Sequence, residues 1–233
     1  MKTLIILIIS TLFLNGASFS KSKRVLVQNI YHDKQFTFYC NNPYEVKKIK
    51  GKKRTIIIKN DKYYSPRNTY TKSGKINIRA QKIEWEHVMP AHNFGKHLPC
   101  WKSGGRKACR KDKLFKTMES DMHNLVPAIG EINGDRSNYR YGANTPRIGQ
   151  YGACKMQVDF KARRAFVRED IRGDIARIYF YMSDQYNINL SKQERQMMES
   201  WDTLDPIDNW ELLKNERVKN IQGNNNKFIK NNP

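Results

Sequence analysis

Four cysteines constrain this chain more than any other feature, because they follow what reads as an export signal. Residues Met1 to Ser20 join a positive start at Lys2 to an almost unbroken apolar run, Leu4 to Leu14. Ser18 and Ser20 then put small residues at the two cleavage-determining positions. The run is too short for a comfortable bilayer crossing, and no later stretch is longer or more apolar. The expected layout is a signal segment over residues 1–20 and one domain over 21–233. In an exported protein an even cysteine count favours disulfides, and four allow about three pairings. Cys100 and Cys109 are near neighbours flanking Gly104-Gly105, which pairs them and leaves Cys40 with Cys154. The competing arrangement is a zinc site with His92, His97 or His123. Zinc ligand pairs stand roughly two to four residues apart, whereas eight residues separate Cys100 from Cys109. Disulfides are the favoured reading.

The domain behind that signal is cationic. Over the whole chain 43 Lys and Arg stand against 22 Asp and Glu, a net charge of +21, and of these only Lys2 lies in the signal segment. Such a field favours polyanions, whether nucleic acid, an anionic membrane surface or acidic glycans, and charge alone does not choose among them. Hydrophobic residues make up 39% of the chain, enough for a folded domain.

Both hydrophobic periods occur. Ser22 to Lys34 opens with a helix or an edge segment. Phe36 to Cys40 and Thr55 to Ile58 are rich in aromatic and β-branched residues and predict strands. Tyr63 to Gly74 and Phe94 to Arg110 predict loops, the second carrying Lys96, Lys102, Arg106, Lys107 and Arg110. Ile76 to Ala80 alternates and leads as a strand into Glu84-Trp85-Glu86-His87. Asp121 to Val126 predicts a second strand ending at Pro127, and Ala128 to Asn138 a helix. Ile171, Ile175, Ile178, Tyr179 and Met182 recur at helical spacing. Ser191 with Glu194 resembles a capping box for a helix running to Trp201. Pro206 to Lys219 predicts another helix, with Trp210, Leu213 and Val218 as its buried side. Gly223 to Pro233 reads as a surface tail. With no repeat and no linker, the expectation is one α+β domain.

The chemistry concentrates in Glu84-Trp85-Glu86-His87-Val88-Met89-Pro90-Ala91. Glu86 offers the hard oxygen that Mg²⁺ or Ca²⁺ prefers, and Asn133 offers another. The unperturbed His87 imidazole titrates near 6.5, so it can take a proton from water at neutral pH. Arg106, behind Gly104-Gly105, can present a two-pronged donor to phosphate. The bland alternative is that such a glutamate is a solvated ion-pair partner and such a histidine a structural one. Neighbouring strand residues also point to opposite faces, so Glu86 and His87 serve one site only where the strand twists, bulges or ends. Trp85, Trp201 and Trp210 read as core anchors.

The same stretch, followed by Cys100-Trp101 and Gly104-Gly105-Arg106-Lys107, resembles the bacterial endonuclease I family of periplasmic and secreted nucleases. The resemblance continues through Asp121 to Asn138, Tyr151 to Cys154, Val158 to Lys161, Arg172 to Met182 and Gln222-Gly223-Asn224, covering nearly all of the domain. It implies a ββα-metal nuclease fold, with His87 as general base and Glu86 and Asn133 holding Mg²⁺, for which Ca²⁺ or Mn²⁺ can substitute. It also implies Arg106 on the scissile phosphate or the product, and Glu119 near the site, orienting His87 through its backbone carbonyl. DNA, with RNA beside it, is then the expected partner, cut without sequence preference to leave 5′-phosphate ends. No membrane partner is expected, a monomer is, and the location is the periplasm or outside the cell. Lys227 stands where the family usually has proline, and relatives can carry more cysteines.

Three rivals stay open at this stage. A non-catalytic binder of extracellular DNA needs no Glu86-His87 pair. A membrane-active protein needs a basic amphipathic helix with a broad apolar face, and Ile171 to Tyr186 is better explained as core. A phosphodiesterase for small substrates gains little from so extended a field.

Overall fold

The computed structural model describes residues 18–49 and 51–230. The predicted signal segment therefore lies outside the described residues, apart from its last three. Helix α1 (Phe19–Val25) is capped by the Ser18 hydroxyl, which accepts from the Lys21 backbone N–H, and it continues as a wider turn through Leu26–Ile30. Strands β1 (Tyr44–Ile49) and β2 (Lys52–Ile57) form an antiparallel hairpin. Strand β3 (Ile83–His87) then leads into three helices, α2 (Ala91–Gly95), α3 (Pro99–Ala108) and α4 (Lys113–Ser120). The chain returns as β4 (Leu125–Ile129), antiparallel to β3, and passes directly into α5 (Gly130–Arg136). Strands β5 (Arg140–Tyr141), β6 (Met156–Asp159) and β7 (Arg164–Val167) make a small sheet with β7 in the middle. Helices α6 (Arg172–Tyr186), α7 (Lys192–Leu204) and α8 (Asn209–Gln222) complete the chain, which is α+β as expected.

The β3–β4 pair is buried on both faces, and alternation along each strand assigns most of its residues to one core or the other, with Ile129 at the strand end joining the main core. Val126 and Ala128 face the main core, with Ile132, Tyr179 and Met182. Ile83, Trp85 and Leu125 face a second core, with Leu26, Ile30, Tyr31 and Val218. Each fully buried aliphatic side chain contributes about 1.5–3 kcal/mol through area removed from water. A strand pair clamped from both sides is a rigid base for a site at its end.

The disulfides are Cys100–Cys109 and Cys40–Cys154, the pairing the spacing favours. Ser191 caps α7 through the Glu194 backbone N–H, and Asp208 with Glu211 forms a full capping box at α8.

Several expectations need correction. Phe36 to Cys40 is no strand: Phe36 meets Pro43 in an isolated bridge, and Thr37 closes a tight turn onto Asn41 and Asn42. Local side-chain bonds outcompete the ladder there. Ile78–Gln81 is a 3₁₀ turn, and the strand starts two residues later. The segment from Pro99 is helical rather than loop, because Pro99 sits in its first turn and only Gly104-Gly105 interrupts it. Pro127 lies inside β4, opposite Trp85, a place that β4 allows because only β3 pairs with it. Leu213 is 40% exposed, so the buried side of α8 rests on Val218, on the partly buried Trp210 against the Tyr31 ring, and on polar neighbours. The C-terminal segment is no free tail, since Asn226 is fully buried and bonds Asn215 and the Arg177 carbonyl.

Candidate active site

Strand β3 ends at His87, and its register with β4 runs unbroken from Ile83↔Ile129 to His87↔Leu125. No bulge reconciles Glu86 with His87; the strand simply stops there, and both line one cleft of about 1390 Å³. Their partners keep the alternation. Glu86 turns toward α5, where Arg136 donates to its Oε1 at 2.8 Å, joined by the Tyr39 hydroxyl at 3.3 Å. His87 turns toward α4 and α1, beside the Glu119 carbonyl and the Phe19 ring.

A carbonyl can only accept, so the 2.8 Å contact between His87 Nε2 and the Glu119 oxygen puts the proton on Nε2. Nδ1 is left with its lone pair. Only 6% of His87 is exposed, and burial pushes its imidazole down to about 4, with the Arg106 and Arg136 charges adding to the push. At neutral pH the ring is therefore uncharged and able to accept a proton. Glu86 is 4% exposed, and burial pushes its carboxyl up to about 7 against the pull of Arg136.

Arg136 is fully buried and was not singled out from the sequence. Besides Glu86 it donates to the carbonyls of His87 at 3.0 Å and Val88 at 2.7 Å, and it stacks over Tyr141. It thus fixes the backbone at the point where β3 ends. Its position three residues after Asn133 put both on one face of a helix, and that spacing was the available signal.

Asn133 donates through Nδ2 to Glu84 Oε2 at 2.9 Å, and Arg79 grips the same carboxylate with bonds of 3.0 and 2.6 Å. Arg79 was likewise not singled out, and Glu84, one of the two carboxylates of the opening stretch, carried no assigned role. The signal for Glu84 was its place two residues before Glu86, on the same strand face. Arg106 follows the kink at Gly104-Gly105, where Gly105 takes a φ of +62° that glycine alone adopts freely. Its Nε donates to Glu119 Oε1 at 2.7 Å, its terminal nitrogens make no hydrogen bond among the described residues, and the residue lines the cleft.

Glu86, His87, Arg106 and Asn133 thus line the same cleft, with Glu119 bonded to two of them. The donor set suits a hard cation. Glu86 Oε2 accepts no hydrogen bond among the described residues, and the Asn133 bond to Glu84 leaves Oδ1 as a free oxygen. Among the described residues no group of three or more His, Cys, Asp or Glu is placed to hold a metal. A cation bound here would keep most of its shell as water and substrate oxygens, the coordination Mg²⁺ favours.

A neutral imidazole, oxygen donors and an arginine share one cleft in a cationic domain, the side-chain types that phosphodiester hydrolysis calls for. A profile of the Endonuclease I family matches residues 18–233, and the chain belongs to that family. It is similar to an extracellular deoxyribonuclease of Aeromonas hydrophila, 44% identical over 216 residues, covering 92% of this chain and 89% of that protein. A periplasmic deoxyribonuclease of the same organism is 45% identical over 213 residues, 91% of this chain and 85% of that protein. Endonuclease-1 of Buchnera aphidicola subsp. Acyrthosiphon pisum is 53% identical over 151 residues, and that match spans 65% of this chain and 60% of the relative.

Proposed function

We propose that this protein is an exported endonuclease that hydrolyses DNA, and RNA beside it, without sequence preference and with one divalent cation. The observation that carries the reading is the His87 ring, uncharged at neutral pH and held by the Glu119 carbonyl with Nδ1 free. Relatives described as extracellular and periplasmic deoxyribonucleases support DNA as substrate and the periplasm or the exterior as the location. Among the described residues no helix is long and apolar enough to cross a membrane.

His87 takes a proton from a water molecule, whose oxygen bonds to phosphorus as the bond to the 3′-oxygen breaks. The departing 3′-oxygen takes a proton from solvent water in the cleft, so the products carry 5′-phosphate and 3′-hydroxyl ends. Glu119 keeps the ring in the productive tautomer through its carbonyl and aims Arg106 through its carboxylate. Arg106 offers its free nitrogens to the phosphate oxygens, where negative charge accumulates. Glu86 and Asn133 would hold the cation, with Arg136 and Glu84 fixing their orientation. When bound, the cation neutralises charge on the phosphate and the departing oxygen. Contacts confined to phosphates carry no base information, hence the lack of sequence preference. The protein acts as a monomer.

The test is plasmid incubated with the protein and Mg²⁺, with and without EDTA, beside a His87→Ala variant. Cleavage that survives chelation and the substitution removes the mechanism. A protein that binds plasmid but never cuts it is a cationic binder instead.

A further inference from the structure

A second depression, of about 580 Å³, adjoins the catalytic cleft, and His92 and Asn138 line both. It lies between α2, the turn joining β6 to β7, and the start of α7. Lys96, Arg140, Arg163 and Arg164 line it, and Glu194 is the single acid among its lining residues. None of the four cations joins an ion pair among the described residues, whereas Arg106, Arg136 and Arg177 all do. Arg163 is held at a φ of +54°, left-handed backbone that favours glycine, and its guanidinium lies over the Tyr139 ring at 5.4 Å. A glycine would relieve that backbone but would leave the ring uncovered and the cleft one charge short.

Continuity with the catalytic cleft and the excess of four cations over the single acid, Glu194, together select the occupant. We propose that this depression is a subsite for the polynucleotide substrate, holding backbone phosphates of the strand as it leaves the catalytic cleft over Asn138. The inference rests on the nuclease reading and names the path the substrate takes away from its reacting phosphate. Asn138 follows α5, which carries Asn133, so the strand passes from the cation-binding side of the site onto Tyr139 and Arg140. Tyr139 adds a ring face to the cations, the combination that single strands use for grip without base readout.

The test is a triple variant, Lys96→Ala, Arg140→Ala, Arg163→Gly, and the single Arg163→Gly variant, for which glycine suits the backbone and folding is preserved. Affinity for a long single-stranded oligonucleotide is measured in EDTA across a range of salt. Turnover of a tetranucleotide is measured with Mg²⁺. The expected result is affinity at low salt lower by tenfold or more in the triple variant. The slope of log affinity against log salt falls by roughly 2, at about 0.7 for each lost phosphate contact. Arg163→Gly shows a fraction of that loss, and tetranucleotide turnover is unchanged. A control variant, Lys62→Ala, Lys72→Ala, Lys75→Ala, removes equal charge from residues lining neither cleft. Wild-type affinity and slope in the triple variant, or equal losses in the control, overturn the proposal. Failure of the nuclease reading is separate, because there wild-type protein leaves both plasmid and tetranucleotide intact.

Discussion

The carboxamide of Asn133 donates to Glu84 at 2.9 Å, so the amide nitrogen faces the strand and the amide oxygen is directed away from it. Arg79 in turn holds Glu84 through two bonds, and the three residues come from different elements. Orientation of the proposed cation ligand is thus delegated to a residue that need not touch the cation.

Glu84→Ala should therefore weaken cation affinity while sparing the chemistry. Partners of this kind are worth about 10–100-fold in metal affinity. A Mg²⁺ titration of cleavage is expected to shift to higher concentration and to reach near wild-type turnover at saturation. A fall in turnover that no excess of Mg²⁺ restores would count against this role.

His87→Ala and Glu119→Ala should differ in kind. Losing the proposed base is expected to lower turnover roughly 10²–10⁴-fold. Glu119 holds His87 through its backbone, so its truncation leaves that bond in place and releases only Arg106. Glu119→Ala is expected to act as Arg106→Ala does, and the double variant to lose little more than either alone. Losses that add in the double variant would separate the two residues.

Arg136→Ala should cost stability before anything else. Removing one partner of a buried ion pair costs about 3–5 kcal/mol, because the other charge is stranded. Here the stranded groups are Glu86 and two backbone carbonyls. Thermal unfolding is expected to drop by several degrees, and Arg136→Lys, without the planar fork, is expected to recover only part. A melting temperature within a degree of wild type would contradict this.

The two disulfides should divide their effects. Cys40–Cys154 closes a separation of 114 residues and Cys100–Cys109 one of 9. Loop-closure entropy grows with length, so removing the first is expected to destabilise more. Removing the second, with both cysteines changed to alanine, frees the ends of the helix that aims Arg106. Activity there is expected to fall several-fold with a smaller change in unfolding temperature. Full activity in strong reductant would dismiss that coupling.

Asp33 and Arg217 supply a pH-dependent tie between the N-terminal turn and α8. The Arg217 guanidinium bonds the Asp33 carboxylate twice and holds it down to about 2. A carboxyl held below its usual range stabilises the fold above about pH 4, and that contribution fades as pH falls toward 2. The pair is exposed, so the effect is small: Asp33→Asn should lower the melting temperature by roughly 1–3 °C at pH 7 and hardly at all at pH 2. An equal loss at both values would assign the effect to packing.

What the sequence revealed and what it hid follow from range. Chain-local features were legible: the cap at Ser191, the helical spacing of Ile171 to Met182, the close cysteine pair, and the Glu86-His87 doublet at a strand end. The residues that orient the site were not, because they meet only after folding. Arg136 lies 50 positions from Glu86, and Asn133 lies 49 from Glu84. Phe36 to Cys40 failed as a strand for the opposite reason, a turn whose bonds are more local than any ladder. Asn224 and Asn226 looked like tail because nothing near them in sequence announces the partners they find in β4's approach and α6.

That distant engagement reaches the candidate site. His123 donates its ring to the Asn224 carbonyl, Gln222 bonds Asp121, and Asn226 reaches into the interior at Arg177. Asp121 and His123 sit on the short bend between the helix carrying Glu119 and the strand opposite His87. Gln222 and Asn224, with Asn226 anchored at Arg177, therefore tie α8 and the segment after it to the bend that leads from Glu119 to the strand opposite His87. Support for the segment around the imidazole thus arrives from 101 positions further along the chain, and loosening α8 would slacken the site without touching any group that lines it.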